Sequence, residues 1–315
     1  MRALHLQDGQ LLFDTQSPPL VPADGEVLVR VTRAGLCETD LQLVRGYMAF
    51  EGVLGHEFVG VAESGKYARQ RVVGEINCSC HRCETCLEGS PNHCPHRTVL
   101  GILGRDGAFA DYVSLPERNL HRVPDSVSDD EAVFVEPLAA AFRILEQIEI
   151  TGRRVLILGD GRLGQLCAQV LSQATNRLTL VGKHASKLQL ARNFGIETCE
   201  RSQRHDRRDA DLVVDCTGSP TGIQDAFRWL KPRGTLVLKT TVAGTPPLSL
   251  APIVIDEFHV VGSRCGPFAP AITALEQRTV QVVPLIQARF PLDRALEGFT
   301  LAQQQPVLKV LFDVV

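Results

Sequence analysis

Aromatic residues are scarce. Phe, Trp and Tyr make up 5% of the 315 residues, with one Trp and three Tyr. A stacking surface for single-stranded nucleic acid needs more ring faces than that. A surplus of one charge is also missing: 33 Lys and Arg stand against 36 Asp and Glu, a formal net charge of −3. Neither nucleic acid nor an anionic membrane surface is therefore expected as a partner. No uncharged run approaches the roughly 18 residues of a spanning helix. The opening MRALHLQDGQLLFD lacks the apolar stretch of a secretory signal. A cytoplasmic setting is expected, in which the ten cysteines stay reduced and serve metal binding or reactivity.

The remaining composition is that of a globular enzyme, 44% hydrophobic and 22% charged, and the length predicts about two domains with separate cores. Up to about residue 120, short β-branched runs broken by Gly and Pro (EVLVRVTRAG, FVGVAES, FADYVSL) predict a β-rich domain. DSVSDDEAVFVEPLAAAFRILEQI reads as helix. From Arg154 strands and helices alternate: RVLILG, GRLGQLCAQVLSQA, RLTLVG, ASKLQLARNFG, DLVVDCTG, GTLVLKTT and FHVVGS. That alternation predicts a parallel sheet with helical crossovers. PLDRALEGFTLAQQ and VLKVLFDV close the chain as a helix and a strand.

Cys80, Cys83, Cys86 and Cys94 stand in the spacing C-x2-C-x2-C-x7-C. Two short spacers let neighbouring sulfurs converge, and a short loop returns the fourth. Four thiolates suit a structural zinc ion and leave no open position. Cys78 is too close to Cys80 to join them and is read as a bystander. A structural lobe of this kind directs attention to a second metal site with mixed ligands. Cys37, Thr39 and Asp40 in AGLCETDLQL, His56 and Glu57 in GVLGHEFVG, and Glu136 in FVEPLAAA are the candidates. A thiolate, an imidazole and a carboxylate are competent ligands of a catalytic zinc.

VLILGDGRLG places Gly159, Gly161 and Gly164 in G-x-G-x-x-G, with Arg162 and Leu163 inside it, between a strand and a helix. That context predicts dinucleotide binding, with the pyrophosphate at the helix N-terminus. A site for NAD(H) carries an acid at the end of the second strand. Here Gly182 stands there, followed by Lys183 and His184. The lost carboxylate and the added cationic groups favour NADP(H) over NAD(H). Thr217, after the strand in DLVVDCTG, is counted with the cofactor residues.

In this order, GHExxG, C-x-T-D, the four-cysteine lobe and GxGxxG resemble the zinc-containing medium-chain alcohol dehydrogenases from end to end. The resemblance implies an α/β fold with two parts. One is a β-rich catalytic domain like chaperonin-10 (GroES-like), 1–137 and 267–315. The other is a doubly wound Rossmann sheet, 138–266. It implies two zinc ions per chain, the catalytic one at Cys37 and His56 with Glu57 or Glu136 as further ligand. Glu136 matches a glutamate of polyol, glucose and threonine dehydrogenases. Thr39 matches the hydroxyl that passes the substrate proton, and Lys309 a basic residue near the pyrophosphate. The substrate would be an alcohol or polyol, or the matching carbonyl, and the assembly a homodimer or homotetramer. Two departures stand out: Gln42 replaces the family's relay histidine, and Glu38 replaces the basic residue that often follows the catalytic cysteine. A zinc-free enone or quinone reductase, or a nucleotide-binding protein without turnover, fits parts of the pattern, but the Cys37, His56, Glu57 set weighs against both.

Overall fold

A computed structural model describes residues 1–241 and 248–315. The chain divides into two compact units, one of Met1–Glu136, Phe268–Arg278 and Leu285–Val315, the other of Pro137–Pro267 and Thr279–Pro284. The excursion 279–284 joins the second unit, which the sequence reading ended at 266. Its tie is the Gln169 side chain, which donates to the Gln281 carbonyl (3.0 Å) and accepts the Gln281 N–H (2.8 Å).

The second unit is a six-stranded parallel sheet in the order Glu197–Glu200, Leu178–Gly182, Val155–Leu158, Ala210–Asp215, Leu230–Leu238, His259–Gly262. Val155, Leu156, Ile157 and Leu158 are all buried, as expected of a central parallel strand covered on both faces. Helices Arg162–Leu171, Ala185–Asn193 and Gly222–Trp229 supply crossovers. Strand order reverses at Val155–Leu158, so the turn that follows this strand is where such sheets bind ligands.

The first unit is built on Glu26–Gly35, whose Val27, Val29 and Val31 alternate inward. An irregularity between Val31 and Arg33 shifts the register against Glu57–Ala62, and Ala34 and Gly35 are buried beyond it. There Gly35 pairs with Glu57 on one side and with Leu311 of the closing strand Lys309–Asp313 on the other. Phe109, Phe299 and Phe312 pack as a fully buried trio, with Phe312 edge-on to Phe109 at 5.0 Å and stacked on Phe299 at 6.3 Å. Together they anchor the C-terminal helix and strand to the β-rich core.

The segment read as one helix before residue 150 is two, Asp129–Ala132 and Val135–Gln147. Pro137 has no N–H to give and clashes with the carbonyl four residues earlier, so the helix restarts just before it.

Gly35 is where these elements meet. A Cβ there would lie 2.6 Å from Val133 Cγ1 and would collide with the Lys309 side chain. Gly35→Ala is therefore expected to lower the unfolding free energy by about 1–3 kcal/mol, the cost of overpacking a filled core. Denaturant melts of the two proteins check this; equal midpoints would show that the Gly35 gap is not needed.

Candidate functional site

The thiols of Cys80, Cys83, Cys86 and Cys94 lie within 4.8 Å of one another. Cys94 Sγ is 3.6 Å from Cys80 Sγ and 3.8 Å from Cys83 Sγ. Four sulfurs about 2.3 Å from a zinc ion form a tetrahedron with edges of about 3.8 Å, so the spacing fits that ion. The electrostatics fit as well. Backbone N–H groups of Arg82 and Cys83 lower Cys80 to about 6, while burial and the Cys83 and Cys94 thiols push Cys86 up to about 12. Cys80 thus gives up its proton readily, and Cys86 keeps its own in the absence of a compensating cation. Cys78 stands apart, its thiol pushed up to about 11 by burial.

A second group gathers Cys37, His56 and Glu57, again within 4.8 Å. Each position follows from the strands around Gly35. Cys37 caps the helix Glu38–Val44, where its N–H donates to Asp40 Oδ2 (2.8 Å). His56 immediately precedes the strand Glu57–Ala62. Gly55, before it, lies so close to Phe109 that a Cβ would fall 2.5 Å from the ring.

His56 Nδ1 faces Asp40 Oδ1 at 3.3 Å, and neither buried atom has a hydrogen-bond partner. Burial opposes a proton on His56, but the charges of Asp40 and Cys37 outweigh it and raise the imidazole well above its ordinary value. A buried imidazole between an acid and a thiol is satisfied by a proton or by a metal ion, and an acid behind a ligating histidine is the usual support for the latter. Asp40, named in the sequence only as a neighbour of Cys37 and Thr39, also caps the helix that follows Cys37.

Two expectations change. Lys309 was read as a pyrophosphate contact, but it is fully buried in the first unit. Its ammonium pairs with Glu57 Oε2 and lies 5.2 Å from the centre of the Phe134 ring. Burial lowers it to about 7, against the pull of Cys37 and Asp40. An ammonium enclosed in this way does not reach a phosphate. Glu136, expected as a ligand, opens the helix Val135–Gln147 and is not among the three converging groups. Val133 and Phe134, just before it, fill the space beside Gly35 and Lys309.

Thr39 Oγ1 lies 3.7 Å from Cys37 Sγ. Gln42, in place of a relay histidine, is buried and donates its amide to Glu38 Oε1 (2.8 Å), which also faces Arg45 at 3.6 Å.

In the second unit the glycine turn has the shape of a phosphate cradle. Gly159 sits at φ 105°, and a Cβ there would approach the Cys216 carbonyl to 2.7 Å. A Cβ on Gly164 would run into the Gly159 carbonyl. Gly161, at the N-cap of Arg162–Leu171, has open space beside it. Arg162 and Leu163 form the first turn behind this opening, at the positive end of the helix, which favours an anion. Thr217 flanks it, with its hydroxyl and N–H both on Asp215 Oδ1 (2.7 and 2.9 Å). At the end of the second strand Gly182 carries no acid, and Asp160 Oδ2 accepts the N–H groups of Lys183 and His184, each at 2.7 Å.

Residues 23–125 match the family described as "Alcohol dehydrogenase GroES-like domain", and residues 163–281 match "Zinc-binding dehydrogenase". The chain is 27% identical to a sorbitol dehydrogenase of Halalkalibacterium halodurans, covering 94% of both. It is 32% identical to an L-threonine 3-dehydrogenase of Streptomyces avermitilis, covering 81% of both. Two solved structures share the fold throughout. An Escherichia coli CFT073 alcohol dehydrogenase complexed with NADH has TM-score 0.89 and 26% identity, covering 100% of this chain and 99% of that one. A zinc-binding dehydrogenase of Sinorhizobium meliloti bound to NADP has TM-score 0.88 and 27% identity, covering 99% of each. With its β-rich GroES-like unit and its parallel Rossmann sheet, the chain belongs to the zinc-type medium-chain dehydrogenase/reductase family, whose members include alcohol, polyol and threonine dehydrogenases.

Proposed function

We propose that the protein is a zinc-dependent oxidoreductase that moves a hydride between NADP(H) and an alcohol or polyol, or the corresponding aldehyde or ketone. The observation that carries this reading is the convergence of Cys37, His56 and Glu57 at one buried point, with the Thr39 hydroxyl beside the thiol. Cys37, His56 and Glu57 would hold the catalytic ion, and the four-cysteine lobe a second, structural one. Zinc supplies Lewis acidity toward the substrate oxygen, and the nicotinamide supplies the hydride acceptor or donor.

The chain's own part is placement and proton handling. Asp40 fixes the ring of His56 from behind, and Lys309 holds the charge of Glu57. Thr39 Oγ1 would relay the proton, taking that of the substrate hydroxyl in oxidation as it passes its own on toward cofactor ribose or water, with the reverse transfer in reduction. The onward route bypasses Gln42, whose amide neither gains nor loses a proton near neutral pH. The match of Glu136 to a glutamate of polyol and threonine dehydrogenases supports a polyol-like substrate, as does the likeness to a sorbitol dehydrogenase. Lys183 and His184 in place of a strand-end acid support NADP(H).

The second unit's edge strand His259–Gly262 and the helix Ala251–Ile255 expose Val254, Ile255 and Val260. Such an apolar edge supports a homodimer or homotetramer joined along it.

Three outcomes are expected. Elemental analysis should find two zinc ions per chain. Cys37→Ala should lose one of them together with turnover, and Cys94→Ser the other together with thermal stability. A Cys37→Ala protein with both ions and full turnover would refute the site. Thr39→Ala should lower kcat by about 10²–10⁴-fold at unchanged zinc content, the range for one positioned proton-transfer group, while Thr39→Ser stays near wild type. Sedimentation of Val260→Lys should shift from oligomer to monomer; an unchanged mass would place the interface elsewhere.

A further inference from the structure

Two cysteines outside both converging groups meet beside the glycine turn. Cys167 lies on the helix Arg162–Leu171, one turn past Gly164, and Cys216 directly follows the strand Ala210–Asp215. Their sulfurs are 3.8 Å apart, and both thiols are free. Cys167 is fully buried and Cys216 partly exposed.

A buried thiol is ordinarily inert. This pair differs because one proton lies between two sulfurs. The Cys216 thiol donates to Cys167 Sγ and holds it below its ordinary value, against burial and with help from the charge of Lys239. The same bond, together with burial, pushes Cys216 well above its own. Lys239 is fixed in place. Its Nζ donates to the Ala140 carbonyl (2.5 Å) and to Ser263 Oγ (3.2 Å), and its N–H to the Asp215 carbonyl (3.0 Å). Cys167 is thus the nucleophilic sulfur, and a second thiol is already in contact with it.

The backbone around the pair is closely packed. The Cys216 N–H donates to the Leu158 carbonyl at 2.9 Å. The Cys216 carbonyl lies against Gly159, whose own carbonyl leaves no room for a Cβ on Gly164. Strand end, turn and helix therefore touch without slack. A disulfide needs its sulfurs about 2.0 Å apart, so closing the pair draws the helix toward the strand end. The turn between them has no free space to absorb that movement and shifts with it.

We propose that Cys167 and Cys216 form an oxidation site, closed to a disulfide by a hydroperoxide, and that closure weakens dinucleotide binding at the adjoining turn. The second half rests on the dinucleotide-binding reading above; the first does not.

The reagent must be small, because Cys167 is buried. The Cys167 thiolate attacks one oxygen of the hydroperoxide, the O–O bond breaks, and the sulfur becomes a sulfenic acid. The leaving alkoxide, or hydroxide where the reagent is hydrogen peroxide, takes the Cys216 thiol proton. The Cys216 sulfur then attacks Cys167 Sγ. The S–S bond forms, the S–O bond breaks, and hydroxide leaves to take up the proton that Cys167 released on ionising. The two sulfurs give up two electrons, and the hydroperoxide ends as an alcohol and water, or as two waters.

The test treats the intact wild-type protein with hydrogen peroxide, alkylates the remaining thiols and maps the digest by mass spectrometry. The peptides containing Cys167 and Cys216 should appear joined. NADPH binding, followed by the fluorescence of the bound cofactor, should weaken roughly tenfold, the loss of about one hydrogen bond to a charged group, and recover after dithiothreitol. In Cys216→Ser and Cys167→Val, each compared with itself before and after treatment, peroxide should leave binding unchanged. Cys216 is partly exposed, so its variant tests the site even where the Cys167 variant unfolds. Absence of the joined peptide would overturn the proposal, as would a joined peptide at unchanged NADPH affinity. An equal loss in Cys216→Ser would place the damage at another cysteine and overturn it too. A reduced wild type that bound neither NADPH nor NADH would overturn the dinucleotide reading and the second half of the proposal with it, while the peptide map would still decide the first.

Discussion

Three backbone segments meet at Gly35, and the chemistry of the first unit depends on that junction. The strand Glu26–Gly35 leads to Cys37 at the cap of the next helix. The strand Glu57–Ala62, paired to it, begins directly after His56. The closing strand Lys309–Asp313 brings its lysine against Glu57 from the far end of the chain. The absence of a side chain at Gly35 leaves room for the lysine. Removing two charges from water costs several kcal/mol per ion, and their attraction offsets this only when both stay in place. The Glu57–Lys309 pair therefore ties the metal-binding corner to correct closure of the β-rich unit, although some 250 residues and the whole Rossmann unit intervene in sequence.

This arrangement separates support from reaction. Asp40 and Lys309 each act through a neighbour, one behind His56 and one against Glu57, and neither needs to touch substrate. The four-cysteine lobe is self-contained: its spacing brings four sulfurs to tetrahedral distances, and with a zinc ion proposed there, metal binding would be coupled to its folding. In the proposed reaction, chemistry is left to Cys37, His56 and Glu57, which converge, and to the hydroxyl of Thr39 beside the thiol.

Much of this was legible in the sequence because it is local. C-x2-C-x2-C-x7-C determines which sulfurs can converge, and G-x-G-x-x-G between a strand and a helix determines the turn. The buried run at Val155–Leu158 marks a parallel strand. What escaped was long-range. Lys309 looked like a phosphate contact, because nothing near it in sequence shows that Glu57 lies opposite. Glu136 was matched through the family resemblance, and nothing near it in sequence shows that Cys37, His56 and Glu57 are the groups that converge. Asp160 passed unnoticed inside the glycine fingerprint. Its reach to Gly182 depends on the pairing of two parallel strands, a relation that no spacing rule encodes. The missing acid at Gly182 was legible; what filled its place was not.

If the proposed function holds, one chain carries two zinc ions in chemically different surroundings. X-ray absorption at the zinc edge of the purified wild-type protein tests it most directly. Two ions, one in four sulfurs and one in a mixed set, predict a sulfur shell near 2.3 Å together with a clear nitrogen and oxygen shell near 2.0–2.2 Å. A sulfur shell alone would contradict the account, because the site at Cys37, His56 and Glu57 would then hold no zinc.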